Sequence, residues 1–166
     1  MSSRETPLNL RSHALFDASF ERRADAEALF AHKRWTLCIY VAGLAVECVL
    51  QAIALRHRAE LDARHDLALW LTRCPNRVSD RIQANAPNAW SFLRVCWENR
   101  LRYLSDDAAL GYLRAKGLAK GLKLPRRGAD PPRETVLRAN ASLCLQSARL
   151  VHDTGVLEWL HEKRRT

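Results

Sequence analysis

The chain has little glycine and proline, with six residues of each among 166. A sandwich or barrel of many short strands needs such residues at its turns, so their scarcity argues against an all-β fold. No segment alternates apolar and polar residues with the period of a strand, and no internal repeat stands out. Hydrophobic residues make up 48% and charged residues 27% of the chain, which is typical of one globular domain.

Motifs for metals, nucleotides and serine nucleophiles are also missing. The six histidines show neither HxxxH nor HExxH spacing, and no CxxC supplies half of a zinc site. Gly117 and Gly121 are not followed by the Lys-Ser/Thr pair of a phosphate loop, and no GxSxG elbow occurs. We therefore expect neither a metal site nor a cofactor.

The five cysteines are odd in number and widely scattered, unlike a disulfide framework. Residues 1–10 are polar and lack the apolar stretch of a signal peptide. Both observations favour a cytoplasmic protein with reduced thiols. Aromatic residues are only 7% of the chain, and Trp35, Trp90 and Trp97 fall at spacings typical of packed helix faces.

One long apolar run, residues 35–55, reaches the length of a membrane-spanning helix. Glu47 and Gln51 lie near its middle, and a central carboxylate costs a few kcal/mol to insert into a bilayer. The run therefore favours the central helix of a soluble bundle over a membrane span.

Apolar residues recur at three and four positions in most of the chain, which predicts helices. We predict one all-α domain over residues 1–166, with its core at about 12–160, built as an up-and-down bundle of four to five main helices with short accessory helices. The predicted helices are 12–33, capped by Ser12, then 35–57, 67–74, 77–85, 87–104, 106–122 with Asp106 as its cap, and a last helix from Pro131 that residues 153–155 interrupt.

The last helix carries Val136, Leu143, Leu150 and Leu157 at intervals of seven residues. Such a heptad spacing is typical of a helix that faces a partner along one seam.

Glu47 is the first candidate for chemistry, because a carboxylate in an apolar helix must be neutral, paired or hydrogen-bonded. We expect its partner to be an arginine on another internal face, Arg100 or Arg102. Two interpretations stand: a buried ion pair that sets the register of the helices, or part of a polar site in a groove of the bundle.

His65 is the second candidate, seven residues after Arg58. A histidine acts as a general acid or base near neutral pH, and an arginine binds phosphate and stabilises its developing charge. The pair suits metal-independent RNA cleavage by attack of the 2′-hydroxyl on the adjacent phosphate. The alternative is that His65 only docks a loop.

The positive charge is concentrated late in the chain. The net charge is +9, and residues 111–166 hold 12 basic against 5 acidic side chains. Within residues 111–128 there is no acidic residue, and a continuous helix would align several of the cations for contact with a phosphate backbone. The candidate nucleic-acid contacts are Lys116, Lys120, Lys123, Arg126 and Arg127. A solvated face is the alternative.

Several of these segments together resemble the HEPN domain (higher eukaryotes and prokaryotes nucleotide-binding). The resemblance rests on AGLAVEC at residues 42–48 and on the His65-Asp66-Leu67 triplet, with Trp35, Trp97 and the Arg102-Tyr103 pair around them. It extends over about residues 15–155.

The resemblance implies a helical bundle that forms a homodimer and belongs to a bacterial toxin–antitoxin or antiphage defence system. A nucleotidyltransferase or another protein of the same operon is the partner it implies. Many members cleave RNA with an Arg-x4-6-His motif near the start of the last long helix. The last helix here has Arg149-x2-His152 instead, and Arg58…His65 lies earlier in the chain.

Two functions therefore remain open. One is an RNA-associated protein, with endoribonuclease activity carried by Arg58, His65, Arg102 and Glu47. The other is a non-catalytic module that dimerises or docks on a partner protein in a defence complex.

Overall fold

Every regular element is helical in the part of the chain that the structure describes. The computed structural model describes residues 7–57, 65–119 and 132–163. Its elements are α1 (Pro7–Ala31), α2 (Trp35–Arg56), α3 (Leu67–Arg73), α4 (Asn76–Asn85), α5 (Pro87–Cys96), a 3₁₀ helix (Asn99–Tyr103), α6 (Asp106–Ala115) and α7 (Arg133–Lys163). The predicted all-α bundle is confirmed, with three long helices and four short ones in the described residues.

α1 and α2 form an antiparallel hairpin with the most extensive contact between any two helices. α1 begins at Pro7, a residue favoured in a first helical turn, so Ser12 lies inside the helix and is not its cap. At the other end, the amides of Lys33 and Arg34 donate to the carbonyls of Phe30 and Leu29. These two bonds close the helix with Lys33 in the left-handed conformation, at a φ of 58°.

α2 is the centre of the bundle. Seventeen of its 22 residues are buried, and it packs against α1, α3, α7 and the 3₁₀ helix. In the described residues it is the one helix long and apolar enough to cross a membrane, but 78% of its most apolar window is buried inside the protein. Such burial is typical of a helix at the core of a bundle.

α7 runs parallel to α2 and antiparallel to α1. Cys144 Sγ lies 3.6 Å from the Ile39 carbonyl oxygen, and Gly155 packs against Val49 further along both helices. The interruption predicted at 153–155 is wrong: the helix is continuous, because Gly155 lets α7 approach α2 closely. Because α2 and α7 are parallel, the chain must return along the bundle between the end of α2 and the start of α7. The short helices α3 to α6 make this connection, so the bundle departs from a simple up-and-down order.

The heptad residues of α7 divide into one buried and three exposed positions. Val136 is buried, whereas Leu143, Leu150 and Leu157 are 46%, 55% and 53% exposed. We call these three residues the leucine stripe. No described residue of the chain covers it.

The predicted helix 87–104 is wrong at its second half. α5 ends at Cys96, because Trp97 leaves the helical conformation, with φ −97° and ψ 129°, and enters the core. Its indole Nε1 donates to the Tyr40 carbonyl oxygen at 2.8 Å. Burial of Trp97 therefore ends α5 early, and the rest of the predicted helix forms one extended residue, Glu98, followed by the 3₁₀ helix.

The predicted helix 106–122 is also shorter than expected. Ser105, not Asp106, is the cap of α6, since its side chain accepts a hydrogen bond from the Ala108 amide. At the far end, Gly117 has a φ of 75° and the Leu118 amide donates to the Leu113 carbonyl oxygen, a standard helix terminator. The helix that was predicted to align the basic residues therefore ends at Ala115, just before the first of them, Lys116.

The five cysteines are free, and four of them are buried. The absence of disulfides agrees with the sequence prediction.

Candidate acid–base site

A buried carboxylate and a histidine form the centre of the candidate site. The Glu47 residue is 2% exposed, on the face of α2 that points toward α3. His65 Nδ1 lies 3.0 Å from both carboxylate oxygens, and Gln51 Nε2 donates to Oε1 at 2.9 Å. The Trp70 side chain supplies a further hydrogen bond. The carboxylate thus has the several donors that a buried charge requires.

This arrangement corrects the expected partner of Glu47. The partner is a histidine from the segment before α3, not Arg100 or Arg102. Burial raises the pKa of Glu47, and the hydrogen bonds from His65 and Trp70 oppose that rise only in part. The buried carboxylate is therefore a better base than an ordinary glutamate.

The His65-Asp66-Leu67 triplet has a separate role for each residue. Asp66 caps α3, since its Oδ1 accepts from the amides of Ala68 and Leu69 at 2.9 and 3.1 Å. Leu67 is buried beneath the first turn. With these two residues fixed, His65 is held at the start of α3, where its ring bridges the core and the surface.

His65 stands at the mouth of a half-open cleft of about 480 Å³. Its side chain is 36% exposed, and because Nδ1 faces Glu47, the opposite ring nitrogen Nε2 points away from the carboxylate. The residues around the cleft come from the start of α3 and the two positions before it, from α5, from the turn after α5 and from the 3₁₀ helix: His65, Asp66, Leu67, Ala68, Arg94, Trp97, Glu98, Asn99 and Arg100.

Two arginines, two carboxylates and one amide give the cleft its polar character, together with His65. Arg94 and Arg100 are exposed residues of its wall. Asn99 brings a buried amide oxygen that accepts no hydrogen bond from any described residue. The cleft therefore offers cationic donors for an anion.

Glu98 joins the cleft to the start of the basic tract. Its carboxylate pairs with Arg100 Nε at 2.7 Å and with Lys116 Nζ at 2.8 Å. Partial burial alone raises the pKa of Glu98, but the hydrogen bond and charge of Lys116 and the charge of Arg100 outweigh it and lower the pKa. Lys116 thus lies beside the cleft, and its charge is partly used within the protein.

The structure separates the other predicted site residues from His65. Arg102 lines a different cleft of about 340 Å³, together with Arg34 and Asp106. The 3₁₀ helix explains this, because Arg100 and Arg102 leave it in different directions. Five predicted residues lie outside the described ranges: Arg58, Lys120, Lys123, Arg126 and Arg127.

Arg149 and His152 of the last helix form no open site. Arg149 pairs with Glu27 of α1 at 2.7 Å, and His152 is fully buried between α1 and α7. His152 Nε2 lies 2.9 Å from Ser19 Oγ. This pair packs the two helices together.

Three residues of the site were not predicted from the sequence: Arg94 and Asn99, which line the same cleft as His65, and Trp70, which forms a hydrogen bond with Glu47. Gln51 carried a signal, since it follows Glu47 by four residues and so lies on the same helix face. Arg94 and Asn99 carried none, because their positions depend on the turn at Trp97.

An all-α bundle with a carboxylate–imidazole pair at a polar cleft that contains two arginines is the class of protein that these features define. Among the described residues, no group of three or more His, Cys, Asp or Glu side chains is arranged to hold a metal ion. No protein-family model matches the chain, and neither the curated proteins nor the solved structures give a significant match.

Proposed function

We propose that the chain is a HEPN-like, metal-independent endoribonuclease of a bacterial defence or toxin–antitoxin system, active in the cytoplasm. The observation that carries the proposal is the position of His65, held by the buried Glu47 at the mouth of a cleft with Arg94 and Arg100. The resemblance of the HDL triplet and the α2 sequence to HEPN domains supports the same function.

The chemistry follows from the two nitrogens of His65. With Nδ1 oriented by Glu47, Nε2 accepts the proton of a ribose 2′-hydroxyl, a step that contributes about 10²- to 10⁴-fold to a rate. The 2′-oxygen bonds to the adjacent phosphorus, the bond from phosphorus to the 5′-oxygen breaks, and water protonates the leaving 5′-oxygen. The products are a 2′,3′-cyclic phosphate and a 5′-hydroxyl end.

The arginines supply the charge stabilisation that this step needs. Arg100 is 60% exposed in its side chain and uses Nε for Glu98, which leaves its terminal N–H groups for a phosphate. Arg94, in the last turn of α5, lines the same cleft. Positive groups aimed at a phosphorane favour the transition state over the ground state.

His65→Asn and His65→Ala test the assignment. Asparagine keeps an N–H near the position of Nδ1, so Glu47 retains a donor and the fold is preserved. Both variants should lose at least about 100-fold in the rate of cleavage of a single-stranded RNA, with EDTA present throughout. His32→Ala is the matched control, since His32 lies at the exposed end of α1 and only contacts the Ala28 carbonyl oxygen.

Cleavage by His65→Asn at the rate of the wild type would contradict the assignment. Products with a 3′-phosphate but no cyclic intermediate would contradict the chemistry.

Glu47 is a positioning residue in this proposal, because it contacts His65 and not the substrate. Glu47→Gln should lower kcat by about 10²- to 10⁴-fold and leave KM nearly unchanged, as expected when an imidazole loses its orienting carboxylate. Gln51→Glu is not a suitable control because it would add a buried charge. Gln146→Glu on the exposed face of α7 serves instead. A change confined to KM would contradict the positioning role.

The leucine stripe favours a second function, a dimerising module. It lies between two polar flanks: the Arg149–Glu27 ion pair toward α1, and Glu158, which pairs with Arg77 and Arg81 of α4. An apolar centre with a charged rim is the usual composition of a protein interface. Because the three leucines are evenly spaced about Leu150, a second copy can align its own stripe across a two-fold axis.

Leu150→Glu tests the dimer. The wild type should behave as a dimer by size-exclusion chromatography with light scattering, and the variant as a monomer. Val95→Glu is the matched control, since Val95 is a similarly exposed apolar residue on α5. A wild type that is monomeric at every concentration where it is soluble would rule out self-association. The nucleotidyltransferase or other operon protein that the resemblance implies would then be tested by co-purification with both variants.

A further inference from the structure

We propose that Tyr103 is a stacking platform for one base of a single-stranded RNA that passes from the His65 cleft toward the cleft of Arg34 and Arg102. This inference rests on the proposed function and names the form of its substrate. Tyr103 is 74% exposed, the most exposed of the large hydrophobic residues that the structure describes. An aromatic ring so open to water, in a chain poor in aromatics, contributes little to the core.

The position of Tyr103 relative to the cleft follows from the 3₁₀ helix. Residues three apart in such a helix lie above one another, and each residue advances about 2.0 Å. Tyr103 therefore lies on the same side as Arg100, about 6 Å further along the helix axis. Arg100 lines the His65 cleft, so the Tyr103 backbone lies about 6 Å, close to one nucleotide length, from a residue of the cleft wall.

The 3₁₀ helix holds the ring firmly at the surface. Leu101 is 1% exposed and anchors the helix in the core, while Leu104 packs against the core cluster after it. The Arg102 guanidinium lies 4.5 Å from the centroid of the Tyr103 ring. One face of the ring is therefore covered by a cation, and a base can stack on the other face, with the arginine adding favourable charge.

The charges on both sides fit a polyanion that crosses this helix. Arg94 and Arg100 lie in the cleft on one side, and Arg34 and Arg102 lie in the cleft on the other. The carboxylates of both clefts have partners within the protein: Asp66 caps α3, Glu98 pairs with Arg100 and Lys116, and Asp106 accepts a hydrogen bond from Thr36 Oγ1 at 2.6 Å. Arginines in both clefts, with an exposed aromatic ring on the 3₁₀ helix near them, match the recognition of single strands by backbone charge and base stacking.

A duplex does not fit this surface in the same way. Its bases are already stacked within the helix and present no free face to a tyrosine, whereas an unpaired base does. We therefore expect discrimination between single-stranded and double-stranded RNA to depend on Tyr103.

The experiment measures the Kd of the full chain for a fluorescein-labelled, 2′-O-methylated RNA, which lacks the attacking hydroxyl, as a single strand and as a duplex. Tyr103→Ala should weaken binding of the single strand by about 5- to 100-fold, as for the loss of one stacked base. Tyr103→Trp should keep the affinity, and the duplex should be unaffected by either change. Phe20→Ala is the matched control, since Phe20 is an exposed aromatic residue of α1.

An oligonucleotide series with a single abasic site maps the stacked base. At one position, near the scissile phosphate, the abasic site should make the wild type and Tyr103→Ala bind equally. Equal affinity of the two proteins for every intact single strand would overturn the platform and leave the proposed function standing. An equal loss for single strand and duplex would also overturn it. A wild type that binds no RNA would overturn the proposed function itself.

Discussion

The hydrogen bonds of His152 define its tautomer. Ser19 Oγ donates to the Phe16 carbonyl oxygen at 2.6 Å, so it accepts from Nε2–H of His152. Nδ1 then faces the Arg23 guanidinium at 3.5 Å. Burial, together with the charge of Arg23, lowers the pKa of His152. The imidazole is therefore neutral in the folded protein at neutral pH.

A neutral buried histidine makes the free energy of unfolding decrease as the pH falls. Below pH 6.5, its ordinary value, the unfolded chain binds a proton that the folded protein does not. The contribution of His152 is thus fully present above pH 6.5 and is lost as the pH falls toward the lowered pKa, by at most about 1.4 kcal/mol per pH unit. Urea unfolding between pH 8 and pH 5 should show this fall in the wild type.

The comparison with His152→Gln isolates this contribution, because glutamine does not titrate. Its free energy of unfolding should fall less steeply with decreasing pH than that of the wild type. His32→Gln, a change at an exposed histidine, should follow the wild type. Parallel curves for His152→Gln and the wild type would contradict the prediction.

Lys33 is a second residue that affects stability, in this case through its backbone conformation. It adopts a left-handed φ of 58° at the end of α1, a conformation that costs a non-glycine residue about 1 kcal/mol. Lys33→Gly should therefore raise the free energy of unfolding by about 0.5–1 kcal/mol, measured with urea. Lys33→Ala keeps the conformational cost and should give no gain. Equal stability of all three proteins would argue against the assigned strain.

For single residues, the sequence indicated which side chains belong to the candidate site but not which side chains they contact. Glu47 and His65 were both singled out, but their contact was not, because eighteen positions of chain separate them and no local pattern encodes such a meeting. Arg102 was predicted as a site residue and Arg94 was not considered, for the same reason. Spacing alone predicts contacts only between residues one helical turn apart, such as Glu47 and Gln51.

Among the elements, α2 and the segment after α5 depend on each other through Gly43 and Trp97. A Cβ atom at Gly43 would overlap the indole ring of Trp97, which packs directly on the α2 backbone. Tyr40 stacks on the same indole, with 6.4 Å between ring centroids. The glycine is thus needed for close approach, and the floor of the cleft depends on it.

Gly43→Ala should destabilise the protein by about 1–3 kcal/mol, the range for an overpacked core, and should change the tryptophan fluorescence. Gly111→Ala is the matched control in α6, where an added Cβ meets no atom within 4 Å. That substitution should stabilise by about 0.5–1 kcal/mol, since alanine favours a helix interior. A Gly43→Ala protein as stable as Gly111→Ala would disprove the role of the contact.

Helix positions were predictable where they depend on local signals and not where tertiary packing intervenes. α2 and α3 lie where their apolar periods placed them, within one residue at each end. The predicted helix from Pro87 failed at Trp97, because the gain from burying that side chain exceeds the helical preference of the residues after it. Gly155 was read as a break, although a glycine inside a helix also allows two helices to approach closely.

The distribution of charge over the whole molecule connects the cleft with the rest of the surface. Residues 1–110 are nearly balanced in charge, yet the fold places Lys116 against Glu98 at the edge of the cleft. The beginning of the basic tract and the acid–base pair are therefore neighbours in space, which their separation in sequence did not indicate.

This arrangement predicts how RNA binding responds to salt. Each phosphate contact to a single strand contributes about −0.7 to the slope of log K against log salt concentration. Arg94→Gln should reduce the magnitude of the slope by about that amount. Arg138→Gln, at an exposed position of α7, removes the same charge far along the chain and should leave the slope unchanged. Equal slopes for the two variants would show that only net charge matters.

The two residues of the acid–base pair lie in parts of the molecule that differ in local stability. Glu47 belongs to the most buried helix, and we expect its amides to exchange their hydrogens only when the protein unfolds globally. His65 precedes a helix of seven residues, and such a short terminus opens by local fluctuations. The fraction of molecules with an intact pair is therefore governed by the local opening of residues 65–66. Substitutions that strengthen the Asp66 cap would raise that fraction without changing the stability of the core.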